Sequence, residues 1–462
     1  LTLAGFTMVS WLGCAGRTSA DPAALAFRPH QLITTAGDTV AAELGLLRVP
    51  ENRRAQPTRT IELAVLRLPS TAARPGDPIV YLAGGPGSSG ITTARGSRFP
   101  AFRALRAVAD VIVLDQRGTG LSRPSLGCSE TVGQPLGDPG SWAAEAAAFR
   151  AGAERCAARW RGRGVDLAGY QVVEGAADLE ALRQALGVPR LALWGMSYGT
   201  LLGLTTIRRH PELASAAVLA GVVGPDDSWP LPSLIDRRLG PLDSLEREGL
   251  RQLALELDRR PARARIADGT DSVTLAISGF DFRSVMSGVL GDPDRLEEAP
   301  ALLAAAQRGQ LDAVAREVLV DRRPGPIGAA ITHLTLCGSG MSSERRARIA
   351  REREHSILAP TPNISAEQCE VWGVPELEPA FREPIRSGVP TLLISGTLDL
   401  TTPIDHAEAV LAGLSRGHHL IVAGARHGDD LLFAAPEILP IMADFFRGRS
   451  PPDRIVHLQA RR

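Results

Sequence analysis

An apolar strand that runs straight into a serine held between two glycines leaves a chain few ways to fold. Leu191-Ala-Leu-Trp-Gly-Met-Ser-Tyr-Gly-Thr200 is such a stretch. Gly195, Ser197 and Gly199 fill the pattern G-x-S-x-G, and residues 201–209 continue as an apolar, helix-like run. The pattern describes a sharp strand-to-helix corner, too tight for side chains at the flanking positions, that presents its serine at the carboxyl end of a strand. A strand that feeds a helix in this way lies in a sheet with helices packed on it, so the corner predicts a layered α/β fold.

The rest of the chain keeps that rhythm. Residues 44–49 and 61–68 read as short antiparallel strands. Residues 78–83 form a buried strand ending in Gly84-Gly-Pro-Gly-Ser-Ser-Gly90, and residues 111–115 another ending in Gln116-Arg-Gly118. Helical stretches follow at 142–161 and 176–186, then the corner strand, then a strand at 214–223. From residue 225 to 388 the strand rhythm stops, and amphipathic helices broken by Pro and Gly take over, such as 245–257 and 300–318. Strand and helix then alternate again: 391–395, 404–414, 419–423 and 431–446. The prediction is a mostly parallel sheet interrupted by an inserted helical cap. Residues 30–224 are the first part of the core, 225–388 the cap, 389–450 the second part and 451–462 a tail. At 462 residues the chain is long enough for both units, and its 51 basic residues, all Arg, balance 51 acidic ones, so no basic excess points to nucleic acid.

The first sixteen residues carry no charge, and residues 1–13 are mostly apolar, like the hydrophobic stretch of a secretory signal. The stretch is too short to span a bilayer. Cys14, after Trp11-Leu-Gly13, is a candidate for lipid attachment and so for membrane anchoring; a plain signal peptide or a buried N-terminal helix are the alternatives. Residues 1–29 are therefore set apart as a signal-like segment and tether. Setting Cys14 aside leaves Cys128, Cys156, Cys337 and Cys369, an even number without C-x-x-C spacing. Two disulfides are expected, and Cys128 with Cys156 and Cys337 with Cys369 is the pairing that closes the shortest loops. Such bridges would accompany export; four buried free thiols in a cytosolic protein is the other reading.

A serine hydroxyl near neutral pH is a weak nucleophile that needs an imidazole to take its proton and an acid to fix the imidazole tautomer. In a fold of this kind they follow in the order Ser, acid, His, each on a loop at a strand's carboxyl end. Asp399 follows the strand at 391–395 through Gly396-Thr-Leu, and His427 follows the strand at 419–423 through Gly424-Ala-Arg. The other histidines considered are poorer candidates: His418 and His419 open a strand, His406 lies in a helix and His210 in a helix-ending His-Pro. The backbone N–H groups of Tyr198 and Gly85 are the expected donors to an oxyanion. Gly85-Pro-Gly-Ser-Ser-Gly90 also matches G-x-G-x-x-G, with Asp115 ending the next strand, as a dinucleotide site requires. Pro86 counts against that, and so does the loop-like reading of residues 91–100 where a helix should open to hold a pyrophosphate.

Gly84-Gly-Pro-Gly87, Asp115-Gln-Arg-Gly-Thr-Gly-Leu-Ser122, Asp178-Leu-Glu-Ala-Leu-Arg183 through Ala185-Leu-Gly187, and Trp194-Gly-Met-Ser-Tyr-Gly-Thr200 together resemble the proline iminopeptidase and tripeptidyl aminopeptidase group of α/β-hydrolases. Cys369-Glu-Val-Trp372, Gly396-Thr-Leu-Asp-Leu-Thr-Thr-Pro403 and the His427-Gly428 loop extend the likeness to the far end of the core. The resemblance implies the α/β-hydrolase fold with a helical cap, a triad of Ser197, Asp399 and His427, and an exported protein. It departs at Ala83, where the group often has His. It departs again at Cys337-Gly-Ser-Gly340, where exported relatives place an acidic pair that would hold a substrate ammonium. Ser339 and Gly340 cannot carry that charge, so either another cap acid, for instance Asp226, Asp227 or Asp281, takes over or the enzyme does not require a free amino terminus. The expectation is an exported serine hydrolase without metal or organic cofactor, acting on a small peptide as an aminopeptidase or on an ester as a carboxylesterase. A non-catalytic binding protein on the same fold is the reading from another class, although such proteins usually lose part of the triad and here it is complete.

Overall fold

The computed structural model describes residues 25–358 and 368–460. Cys14 and the signal-like stretch lie outside the described residues. Among those residues ten strands form one sheet: β1 (Arg28–Ile33), β2 (Thr39–Pro50), β3 (Thr60–Leu68), β4 (Ile79–Leu82), β5 (Val111–Leu114), β6 (Leu191–Met196), β7 (Ala214–Ala220), β8 (Thr391–Gly396), β9 (Gly417–Ala423) and β10 (Ile455–Gln459). Their spatial order is β1-β2-β3-β5-β4-β6-β7-β8-β9-β10. The first three are antiparallel, as is the β3–β5 pair, and every pair from β5 to β10 is parallel.

The central strands are apolar on both faces because both faces are covered, as parallel strands linked by helices require. Alternation sends Val80, Leu82, Leu191 and Leu193 into one core, and Ile79, Tyr81, Ala192 and Trp194 into the other. In the second core Tyr81, Phe102 and Trp194 form a buried aromatic triangle with ring centroids 4.6–4.9 Å apart.

Several expectations change. The stretch read as a loop at 91–100 holds the helices Gly90–Arg95 and Phe99–Leu105. The first is capped from a distance: Asp115 Oδ1 accepts from Ile91 N at 3.0 Å and from Ser89 Oγ at 2.7 Å. A carboxylate already occupies the helix end where a pyrophosphate would have to sit, a stronger objection to a dinucleotide than the loop reading. The strand β1 begins at Arg28, inside the segment expected to be a tether, because it pairs with β2, and the tail at 451–462 supplies β10, paired in parallel with β9. The helical runs read at 300–318 and 431–446 are each two helices, Ala299–Gln307 with Asp312–Arg322 and Asp430–Phe433 with Ile438–Phe446.

The insertion after β7 is mostly helical but contains an antiparallel hairpin, Ala262–Asp268 with Asp271–Ile277, and has its own core around Leu250, Phe282, Val289 and Val314. Part of the preceding segment joins it. Leu126, Cys156 and Trp160 share a core with Ile331, Leu334 and Trp372 rather than with the sheet. Disulfides link Cys128 to Cys156 and Cys337 to Cys369. No helix among the described residues is long and apolar enough to cross a membrane.

Candidate active site

The corner after β6 has the geometry its sequence demands. Ser197 adopts φ 53° and ψ −124°, and among the described residues it is the one non-glycine with a positive φ. That conformation is costly for a residue with a Cβ, so the surroundings must hold it. Ser197 N donates to Ala220 O at 2.9 Å, and the helix Tyr198–Arg209 starts at the next residue. A Cβ on Gly195 would lie 2.6 Å from Gly199 O, one on Gly199 would overlap Leu82 O, and one on Gly84 would lie 3.0 Å from Ser197 Cβ. Three backbone segments thus meet where no side chain fits.

Asp399 and His427 come from neighbouring loops after β8 and β9 that are tied to each other. Thr397 N donates to Val422 O at 3.1 Å, Leu398 N to Ala425 O at 2.9 Å and Gly424 N to Thr397 Oγ1 at 2.9 Å. The result brings His427 Nδ1 to 2.8 Å from Asp399 Oδ2. A carboxylate only accepts, so Nδ1 carries the proton and Nε2 keeps its lone pair. Asp399, 2% exposed, also accepts from Thr402 Oγ1 at 2.6 Å and from the backbone N–H groups of Thr401 and Thr402 at 2.9 and 2.8 Å. Burial alone would raise its pKa; the hydrogen bonds from His427 and Thr402 outweigh it and hold the group below the ordinary carboxylate range. Thr402 is the residue that sequence reasoning passed over, although it stands in the quoted motif around Asp399. Gly221, at φ +66°, leaves room for the imidazole, since a Cβ there would lie 3.0 Å from His427 Cε1.

Tyr198 N and Gly85 N donate to no acceptor among the described residues and lie beside Ser197 on a cavity wall. The Gly84-Gly-Pro-Gly87 loop is pinned from the sheet by Gln116 Nε2, which donates to Ala83 O at 2.9 Å, and from the insertion by Thr332 Oγ1, which donates to Pro86 O at 2.6 Å.

Two cavities meet at Ser197. One, about 470 Å³, is lined by His427, Ser88, Ser97, Arg98 and Asp429. The other, about 360 Å³, is roofed by the insertion through Trp229, Leu234, Ile235 and Leu336 and floored by Leu201 and Val223. Asp227, Arg238 and His406 supply its charged and polar walls. Of the three acids considered for an ammonium, Asp226 is taken by Ser342 N and Oγ at 2.8 and 2.6 Å, and Asp281 is held by Ser278 and Arg322 at another cavity. Asp227 alone of the three lines the cavity beside Ser197, where it already pairs with Arg345 at 2.8 Å.

Residues 77–429 match the family model described as alpha/beta hydrolase fold. The chain belongs to that family. It is 31% identical over 194 residues to the serine protease Hip1 of Mycobacterium tuberculosis, a match covering 39% of this chain and 36% of that protein. It is 33% identical over 198 residues to the tripeptidyl aminopeptidase of Streptomyces lividans, covering 40% and 37%. The putative hydrolase YuaR of Escherichia coli is 26% identical over 413 residues, covering 79% and 78%. The matches to the first two thus span little more than a third of those proteins.

Proposed function

We propose that this α/β-hydrolase cleaves an acyl bond through a Ser197 acyl-enzyme and that its substrates are short peptides taken from a free amino terminus. The observation that carries the reading is the hydrogen-bonded Asp399–His427 pair beside a strained Ser197, set where a polar cavity and a roofed apolar one meet. His427 Nε2 takes the Ser197 Oγ proton as Oγ bonds to the substrate carbonyl carbon, and the N–H groups of Tyr198 and Gly85 receive the oxyanion. His427 then gives the proton to the leaving nitrogen as the C–N bond breaks. Water repeats the sequence, with its oxygen bonding to the acyl carbon and Ser197 recovering its proton. The proton is delivered from the His427 side, so the leaving group belongs in the polar cavity and the acyl part in the roofed one.

The names of the relatives support a peptidase, and Asp227 in the acyl cavity offers the substrate ammonium a carboxylate, without which its burial is costly. One observation favours a second reading: Asp227 is already answered by Arg345, and the rest of that cavity is largely apolar, which suits a carboxylesterase. Matched aminoacyl and tripeptidyl anilides, free and N-acetylated, separate the two beside short acyl esters. Acetylation is expected to lower kcat/KM by at least about tenfold, the scale of one charged hydrogen bond. An unchanged or higher value replaces the aminopeptidase with an esterase or a hydrolase of blocked peptides.

A further inference from the structure

A second charged side chain in the acyl cavity is only partly satisfied. Arg238 follows the short helix Pro232–Asp236 and lines both the cavity beside Ser197 and a neighbouring one of about 440 Å³. Its NH1 donates to Ser287 O at 3.1 Å and to Ser287 Oγ at 2.9 Å, while Nε and NH2 reach no acceptor among the described residues. It forms no ion pair with any described carboxylate, whereas the adjacent Arg237 pairs with Asp405 at 2.6 Å. Burial pulls Arg238 below the ordinary guanidinium range with no carboxylate to oppose the fall.

The guanidinium is also held in place. A Cβ on Gly291 would lie 3.1 Å from NH1 and 3.2 Å from Cζ, so the group rests against the last turn of the helix Gly279–Gly291. Carbonyls at a helix C-terminus favour a cation, which accounts for one edge of the group. The remaining edge has the forked donor geometry that matches a carboxylate.

We infer that Arg238 is the subsite for a carboxylate on the acyl part of the substrate, so that the enzyme prefers N-terminal segments carrying an aspartyl or glutamyl side chain. The inference rests on the assignment of the roofed cavity to the acyl side. Asp227 and Arg238 then offer one acidic and one basic wall to the ammonium and side-chain carboxylate of the same segment. It also bears on the missing acidic pair after Cys337: a cavity with a spare cationic donor selects by the acid it accepts as well as by the amine.

The test compares kcat/KM for anilides that differ only in Glu against Gln within the acyl segment, using wild type, Arg238→Gln and Arg238→Lys. Wild type is expected to favour Glu by about tenfold or more, Arg238→Gln to bring the ratio near one, and Arg238→Lys to keep part of it. Melting curves establish that each variant is folded. A purely structural Arg238 would shift the melt and slow both substrates alike, leaving the ratio intact, and that result overturns the subsite. So does a wild-type ratio at or below one. Free and acetylated termini, run in parallel, judge the aminopeptidase reading separately. If no anilide is turned over, aryl hemiesters of glutaric acid beside the corresponding half-amide esters read the same ratio.

Discussion

Ser197 concentrates both the strain and the proposed chemistry in one residue. Its positive φ is enforced by backbone contacts at Gly84, Gly195 and Gly199, and alanine can occupy the same corner with the same strain. Ser197→Ala is therefore expected to melt close to wild type while turnover falls by at least about 10³-fold, since the acyl-enzyme can no longer form. A fluorophosphonate probe should label wild type and leave the variant unmarked. Labelling at a different serine, or retained turnover, removes Ser197 from the mechanism. In the proposed mechanism Asp399 acts through His427: its two oxygens are satisfied by four donors, so it stays ionised and holds Nδ1–H in the tautomer that leaves Nε2 basic.

At the scale of elements, the site is the meeting of β4, β6, β8 and β9 at their carboxyl ends. The helix Tyr198–Arg209 can start directly after Ser197 because Gly199 packs its backbone against Leu82 O. Gly199→Ala should push the helix off β4, costing about 1–3 kcal/mol as overpacking does and lowering activity with stability. Denaturant melts and kcat/KM measured together check this, and an unchanged midpoint would show that the corner is looser than its geometry. The short helix Gly90–Arg95 shows the opposite case. Six residues cannot nucleate alone, and its start is fixed by Asp115 just after β5, a contact no local reading of residues 91–100 contains.

At the scale of the molecule, the insertion does more than roof the site. It holds the Gly84-Gly-Pro-Gly87 loop through Thr332 and shares a core with the segment around Cys128 and Cys156. The Cys337–Cys369 bridge ties the helix Ala330–Ser339 to the helix Cys369–Trp372 inside that same core. Replacing both of these cysteines by serine should lower stability by about 2–4 kcal/mol and loosen the roof of the acyl cavity. Non-reducing peptide mapping of protein from its native host should recover both disulfide-linked peptides. Four free thiols there would overturn the pairing, and with it the proposal of an exported enzyme that the bridges support.

Sequence alone determined what local chemistry and chain order can encode. The corner at Ser197, the loops that deliver Asp399 and His427, and the switch from strand rhythm to helices near residue 225 are all patterns within a few residues. Their positions at strand ends follow from how a parallel sheet is wound. Tertiary structure decided what depends on partners far away in the chain. The edge strand β1 is exposed at all but one position, and the five residues of β10 are too short a run to read as a strand by themselves, so their pairing makes them strands. The hairpin within the insertion is likewise defined by its partner. Asp226, Asp227 and Asp281 look alike in sequence; Ser342, Arg345 and Arg322 separate them. Arg238 is one of many arginines until the fold leaves it on the wall of the Ser197 cavity with no ion pair to any described carboxylate, because whether a charge is paired is a property of the packed chain and not of its own residue.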